Sequence, residues 1–314
     1  MPRTIVEYVL RFTGKHQVGL AILSIAVFLL SAVPLELQRR IVNTIVDKGA
    51  FATVLSLAVA YGGVALAEQS LKLALNVYRG WVAEDSVRTL RIKVGGHGGR
   101  LEDSAAETGV EISMVLEEVE PIGGFTGISC SEPLLQGGIL VSVVSYMLYI
   151  DSSLALIGLL FFLPQMVFVP LLQGAINRRA QSRILVKRGL SGGIVEAARR
   201  PDHAWQWARG PIERVFTLNM GIYKIKFTMN LLMNLMHHFS VAVALGVGGW
   251  QVLEGHIEIG TVVAIVGGLG KLNDPWGDLV NWARELSVVQ VKYRLFADVV
   301  NRAAAAQPAS LLPA

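Results

Sequence analysis

Five stretches of this chain run for roughly the length of a membrane span without a formal charge. Val18 to Leu35, Phe51 to Ala67, Pro133 to Ile150 and Ser152 to Asn177 contain no Asp, Glu, Lys or Arg, and Phe227 to Leu253 contains only the titratable pair His237 and His238. A helix needs about 20 mostly apolar residues to cross a bilayer, so these runs define five spans. A sixth run starts at Ile259, and its uncharged part ends at Gly270. It reaches spanning length only by continuing past Lys271 and Asp274. Only 17% of the residues are charged and mean hydropathy is +0.50, against about 25% charged in a soluble protein. That balance excludes disordered and collagenous classes. Cys130 is the single cysteine, so no internal disulfide and no multi-cysteine metal site is available.

Where the 28 Lys and Arg residues fall decides the topology. Short loops near spans are richer in Lys and Arg on the cytoplasmic side. The connection between spans three and four offers only Asp151, and that between five and six offers Glu254, His256 and Glu258. The segments between spans two and three and between four and five are rich in Lys and Arg, from Lys72 to Arg100 and from Arg178 to Lys226. Six spans with both termini in the cytoplasm of a multi-pass cell (inner) membrane protein follow. Arg39, Arg40 and Lys48 fall on the opposite side, partly offset by Glu36 and Asp47. Ser31-Ala32-Val33 faintly resembles a cleavage site, but the apolar run is longer than a signal core and more spans follow. The first span is therefore expected to be retained.

The expected fold is all-α, six transmembrane helices with long cytoplasmic helical extensions. Residues 1–15 alternate apolar and charged positions and are expected to form an amphipathic interfacial helix. Residues 16–302 form the six-span domain, whose two long inner loops cover about 72–132 and 178–226. Residues 303–314 read as a tail or truncated linker. Val82, Val87, Leu90 and Val94 keep helical spacing, as do Val110, Met114 and Val119. Paired helices of such length would reach roughly 35 to 40 Å from the membrane, which suits contact with something well inside the cytoplasm.

Several segments, in this order, resemble the transmembrane domain of an ABC exporter of the six-helix half-transporter type. They are Pro34 with Arg40-Ile41-Val42-Asn43, Tyr78-Arg79-Gly80-Trp81-Val82 through Leu90-Arg91, Thr108-Gly109-Val110-Glu111-Ile112-Ser113 with Glu118-Val119-Glu120, and Ile194-Val195-Glu196. The most specific are Gly248-Gly249-Trp250, Glu254-Gly255, Ile259-Gly260-Thr261-Val262-Val263-Ala264 and Pro275. The family often has Asp where Asn43 stands. The resemblance implies a dimer, homo- or heteromeric, with a second transmembrane domain. It also implies inner arms that end in short coupling helices docked on a nucleotide-binding domain, and alternating access driven by ATP. Coupling would fall on Arg100, Leu101, Glu102 and Asp103 in the first arm and on Trp205 and Trp207 in the second.

No phosphate-binding loop is present. Gly267-Gly268-Leu269-Gly270-Lys271-Leu272 has the wrong spacing and lacks the Ser or Thr that binds magnesium. Leu190-Ser191-Gly192-Gly193 is similar to an ABC signature peptide but lies in an arm without a phosphate loop before it. The chain is therefore expected to carry no cofactor and no catalytic or metal site. ATP and Mg are expected on a partner nucleotide-binding domain, encoded separately or lost at a cut after Val300. Gly95-Gly96-His97-Gly98-Gly99 reads as a flexible bend that interrupts the first arm before Arg100.

Inside the spans, Glu68 and Lys72 are spaced to pair on one helix face. Intramembrane charges are functional candidates by default. Glu68, His237 and Met233 are the candidate pathway residues. The bland alternatives are an interfacial ion pair for Glu68, a helix–helix hydrogen bond for His237 and core packing for Met233. Asp274 and Asp278, beside Pro275, read as capping or partner contacts. The basic arms need no nucleic acid, because the positive-inside rule already explains their charge. The expected function is the permease subunit of an ATP-driven exporter in a lipid bilayer. The alternatives are a motorless ion-driven carrier of the same fold and a non-transporting membrane scaffold.

Overall fold

The computed structural model describes residues 1–2, 4–98, 119–198 and 207–305. Among them the regular structure is all α-helix, in chain order α1 (Ile5–Ser31), α2 (Val33–Val46), α3 (Phe51–Gly98), α4 (Val119–Ile128) and α5 (Ser131–Ile150), then α6 (Ser152–Leu160), α7 (Leu163–Ala198), α8 (Arg209–Leu253), α9 (Ile259–Gly270) and α10 (Asn273–Ala305). Several neighbours follow one another across a break of only one or two residues. Pro34 lies at the start of α2, where its missing N–H does least harm, and the regular helix is interrupted at Ala32. The Leu35 amide donates to the Ala32 carbonyl, which leaves the Ser31 carbonyl free for another donor. α9 and α10 are likewise separated only by Lys271 and Leu272.

Five units are long and apolar enough to cross a membrane: Ile5–Val46, Phe51–Lys93, Val119–Ile150, Ser152–Lys187 and Arg209–Leu253. They mark the chain as a membrane protein. α9 is apolar but only 12 residues long, and α10 begins polar, with Asp274 in its first turn. The chain reverses through short turns at one pole. Lys48 closes α2 there in the left-handed conformation, φ 52°, and the Gly49 amide returns to the Thr44 carbonyl at 2.9 Å. Asp151, the one charge between α5 and α6, caps α6 by accepting from the Leu154 amide at 2.7 Å.

At the other pole the helices overrun any bilayer. α3 has 48 residues and α8 has 45, or about 70 Å each at 1.5 Å per residue, against a hydrocarbon core of about 30 Å. α3 with α4, and α7 with α8, run on as two antiparallel arms. α3 stays helical through Gly98, so a bend within Gly95–Gly98 is not observed. The expected amphipathic segment is the opening of α1, without a break. Its Ile5, Tyr8 and Val9 are buried against Val87, Leu90, Val119, Ile122, Tyr293 and Phe296 in a small core at the arm pole. Tyr293 donates to the Pro2 carbonyl at 3.1 Å, and burial, with Tyr8 and Glu7 beside it, pushes its phenol above the ordinary range. A larger core unites α1, α2, α3, α5, α6, α8 and α9 around Leu20, Val27, Leu75, Val143, Met147, Leu154 and Ile265.

The contact of α2 with α9 joins Asn43 to the Ile259–Ala264 stretch. Oδ1 of Asn43 accepts from the Gly260 amide at 2.7 Å, capping α9 from a neighbouring helix, while its Nδ2 donates to Glu258. A Cβ at position 260 would overlap the Arg39 carbonyl oxygen, so only glycine admits this approach. Asn43→Ala is expected to cost about 1 kcal/mol, the usual loss of a helix cap, read as a lower thermal midpoint of the purified chain. Asn43→Asp keeps the cap but sets a second carboxylate against Glu258, so it should recover stability only when combined with Glu258→Gln. Beside this contact, Glu36 pairs with Arg39 at 3.3 Å and Arg40 at 2.6 Å and accepts from Tyr146 at 2.8 Å. That pairing neutralises part of the positive charge on the short-turn side.

Candidate functional site: a charged chamber among broken helices

The spacing Glu68, Lys72, Leu75–Asn76 and Arg79 places all of these on one face of α3. The same rule puts Glu132 and Gln136 together on α5 and Asp274 and Asp278 together on α10, with Lys271 in the break just before it. The fold brings the three polar faces together around a half-open chamber of about 480 Å³, lined also by Ser31 at the end of α1 and by apolar Leu75, Leu135, Ile139 and Pro275. Lys271 lies about 20 Å and Glu68 about 27 Å from the short turns, measured along the helices. The same measure puts Asp278 about 30 Å and Arg79 about 44 Å from those turns, so the wall extends from the far part of a hydrocarbon core of about 30 Å to beyond it.

Charges taken out of water must be paired or hydrogen-bonded. Glu68, 6% exposed, meets Lys72 Nζ at 2.6 Å. Arg79, 9% exposed, meets Glu132 at 2.6 Å through Nη1 and donates from Nε to Ser131 Oγ at 2.8 Å. Its Nη2 has no partner. Gln136 bridges the carboxylates, donating to Glu132 at 2.8 Å and to Asp278 at 2.9 Å. Lys271 makes no ion pair among the described residues. Its ammonium donates to the Ser31 carbonyl at 2.8 Å, the acceptor freed by the break at Ala32. One broken helix is thus pinned to another by a cation. Discontinuous helices whose ends face buried charge are a recurring feature of transporter binding sites.

Of the candidate pathway residues, only Glu68 lines this chamber. His237 and Met233 lie on α8, which contributes no wall residue. His237 faces the end of α9, its Cε1 3.9 Å from where a Cβ on Gly270 would stand. Its ring lies 5.5 Å from that of His238, yet no group of three metal-ligating side chains gathers among the described residues. The coupling candidates Arg100, Leu101, Glu102, Asp103 and Trp205 lie outside the described residues. Trp207 is described and exposed, just ahead of α8. Asp274 and Asp278, expected as capping or partner contacts, stand in the chamber wall. Arg79, Glu132, Gln136 and Lys271 had not been singled out as site residues. Their polar spacing within apolar runs was the signal that could have found them.

No model of a known protein family matches the sequence, and no curated protein matches it. The functional reading therefore rests on the residues and their arrangement.

Proposed function

We propose that this chain is the membrane-spanning permease subunit of an ATP-driven ABC-type exporter, working as a dimer whose two transmembrane domains share one translocation path. The observation that carries the reading is the pair of antiparallel helical arms, α3 with α4 and α7 with α8, at the pole opposite the short turns. In this reading α9 and α10 together form the sixth span, and both termini and both arms lie in the cytoplasm. The coupling residues expected from the sequence, Arg100 to Asp103, Trp205 and Trp207, are the ones that would dock on nucleotide-binding domains carried by another chain or lost from this one. Exposed tryptophans are strong interface anchors, and Trp207 has the necessary exposure. The helix breaks at Ala32 and Lys271 would serve the path as two hinges, tied to each other by the Lys271–Ser31 contact.

The charged chamber favours a second reading, a carrier of the same fold driven by an ion gradient, with Glu68 as the exchanging group. Purification from the native membrane separates the two. The expected result is a co-purifying ATPase with a complete phosphate-binding loop, whose stimulation falls at least tenfold when Trp207 or Arg100 is replaced by alanine. A clean dimer without an ATPase, moving solute only down a proton gradient that a protonophore abolishes, would overturn the exporter.

A further inference from the structure

α7 and α10 leave an open groove between them on the side of the arms. Its first part, about 430 Å³, is lined by apolar Pro170, Trp276, Leu279 and Val280. Its second part, about 640 Å³, is completed by α4 and carries Gln181, Arg284, Glu285 and Lys292. Asn177 and Arg284 belong to both walls, so the two parts are continuous. Measured along the helices from the short turns, Trp276 and Pro170 lie at about 27 and 29 Å, and Asn177 and Arg284 both at about 39 Å. The apolar end therefore falls within a hydrocarbon core of about 30 Å. The polar end falls at the far headgroups of a bilayer about 40 to 45 Å thick overall. Trp276 donates from Nε1 to the Gln165 carbonyl at 3.3 Å, which ties α10 to α7 at the apolar end.

Arg284 is half-buried in this groove, and its guanidinium makes no hydrogen bond or ion pair among the described residues. With Lys292 and Glu285 as the other charges of its wall, the polar end carries one net positive charge. We infer that the groove seats one anionic phospholipid from the leaflet on the arm side. Its phosphate meets the guanidinium of Arg284 beside Asn177, and one acyl chain lies between the two helices along Leu279, Val280 and Trp276. The single negative charge of the lipid balances the wall. The planar fork of an arginine matches phosphate oxygens two at a time, and basic pockets between membrane helices are where anionic headgroups are recognised. Gln181 and Glu285 are placed to take the hydroxyls of a glycerol headgroup. A soluble anion would leave the apolar end unfilled, and a soluble protein does not reach a surface at hydrocarbon depth. The lipid is a resident wedge between α7 and α10, not cargo, and the inference does not rest on the permease reading.

Phosphatidylglycerol with brominated acyl chains is the probe, because bromine quenches a nearby tryptophan and Trp276 lines the groove. The purified full chain is placed singly in phosphatidylcholine nanodiscs with a rising fraction of the bromolipid, and brominated phosphatidylcholine is the control. Saturable quenching beyond the control is expected, and it should be lost in Trp276→Phe. Arg284→Gln should raise the half-saturating fraction about tenfold, the usual worth of a hydrogen bond to a charged group. Ala283→Phe fills the groove from an exposed position and alters no charge. It should weaken binding as much, and serves should the Arg284 variant aggregate. Arg179 lies at nearly the same depth but is turned toward Gly221 of α8. Arg179→Gln should leave the titration unchanged, which separates a seated lipid from general attraction to the basic arms. Equal quenching by the two bromolipids, an excess that survives Arg284→Gln and Ala283→Phe, or displacement by glycerol 3-phosphate would overturn the site. An excess that vanishes when two chains share a disc would give the groove to a second copy and overturn the lipid as well. Lipid seated in a chain without any co-purifying ATPase would keep this site and remove the exporter. An ATPase-coupled chain that ignores the lipid would do the reverse.

Discussion

Arg79→Ala alone is expected to destabilise the purified chain by about 3 to 5 kcal/mol, the usual cost of leaving one member of a buried ion pair behind. Glu132 would keep its charge with only Gln136 Nε2 against it, and Ser131 would lose the donor on its Oγ. In a chain of this size such a loss lowers the thermal midpoint by on the order of 10 °C. The double variant Arg79→Met/Glu132→Leu removes both charges and fills similar volume. It should return to within about 1 to 2 kcal/mol of the wild-type chain. Arg79→Lys should not rescue fully, because Nε and Nη1 serve two acceptors in a fixed fork and an ammonium lacks that geometry. Melting by intrinsic fluorescence in detergent reads all three. Equal losses in the single and double variants would mean that the side-chain volume, and not the charge, is what the site requires.

What the sequence could disclose follows from where each signal resides. The five spans were legible because an uninterrupted apolar run is a property of one segment, and the bilayer length is a fixed ruler. The Glu68–Lys72 pair was legible for the same reason: a spacing of four on one helix is a contact in itself. The sixth candidate run was half legible: its uncharged part ends at Gly270 and the helix breaks there too, short of spanning length. The chamber was not legible as a chamber. Each polar face was written in its own helix, but only the packing of α3, α5 and α10 decides that they face one another. Asp274 and Asp278 read as caps while alone on α10, and become a site only opposite Arg79 and Gln136. His237 and Met233 failed to join it because helical spacing names a face without saying what that face meets. Asn43 and Gly260 lie in segments 217 residues apart in the sequence, and one hydrogen bond unites them.

Gly127→Val is expected to cost about 3 kcal/mol, the upper end of the usual penalty for overpacking, while Gly124→Ala on the same helix should stabilise the chain by up to about 1 kcal/mol. Gly123 and Gly127 are one turn apart and form the seam along which α4 lies on α3. A Cβ on Gly127 would overlap the carbonyl oxygen of Arg79, and one on Gly123 would overlap the Val87 side chain. A backbone carbonyl within a helix cannot swing aside, so the two helices would have to part. Close approach of this kind through small residues four apart is the common way helices pack where no water drives them together. The cost would spread, because the Thr126 hydroxyl donates to Ser86 Oγ at 2.8 Å across the same seam and Ser131 donates to the Gly127 carbonyl at 3.0 Å. Parting the helices therefore also disturbs the partner of Arg79 and loosens the chamber wall. Gly124 is exposed, with nothing within 4 Å of its added Cβ, so alanine there gains helix propensity and meets no obstacle. The two glycines differ only in what lies across from them, and the opposite signs of their midpoint shifts test that difference directly. A Gly127→Val chain as stable as wild type would show that α4 does not lie on α3 through this seam.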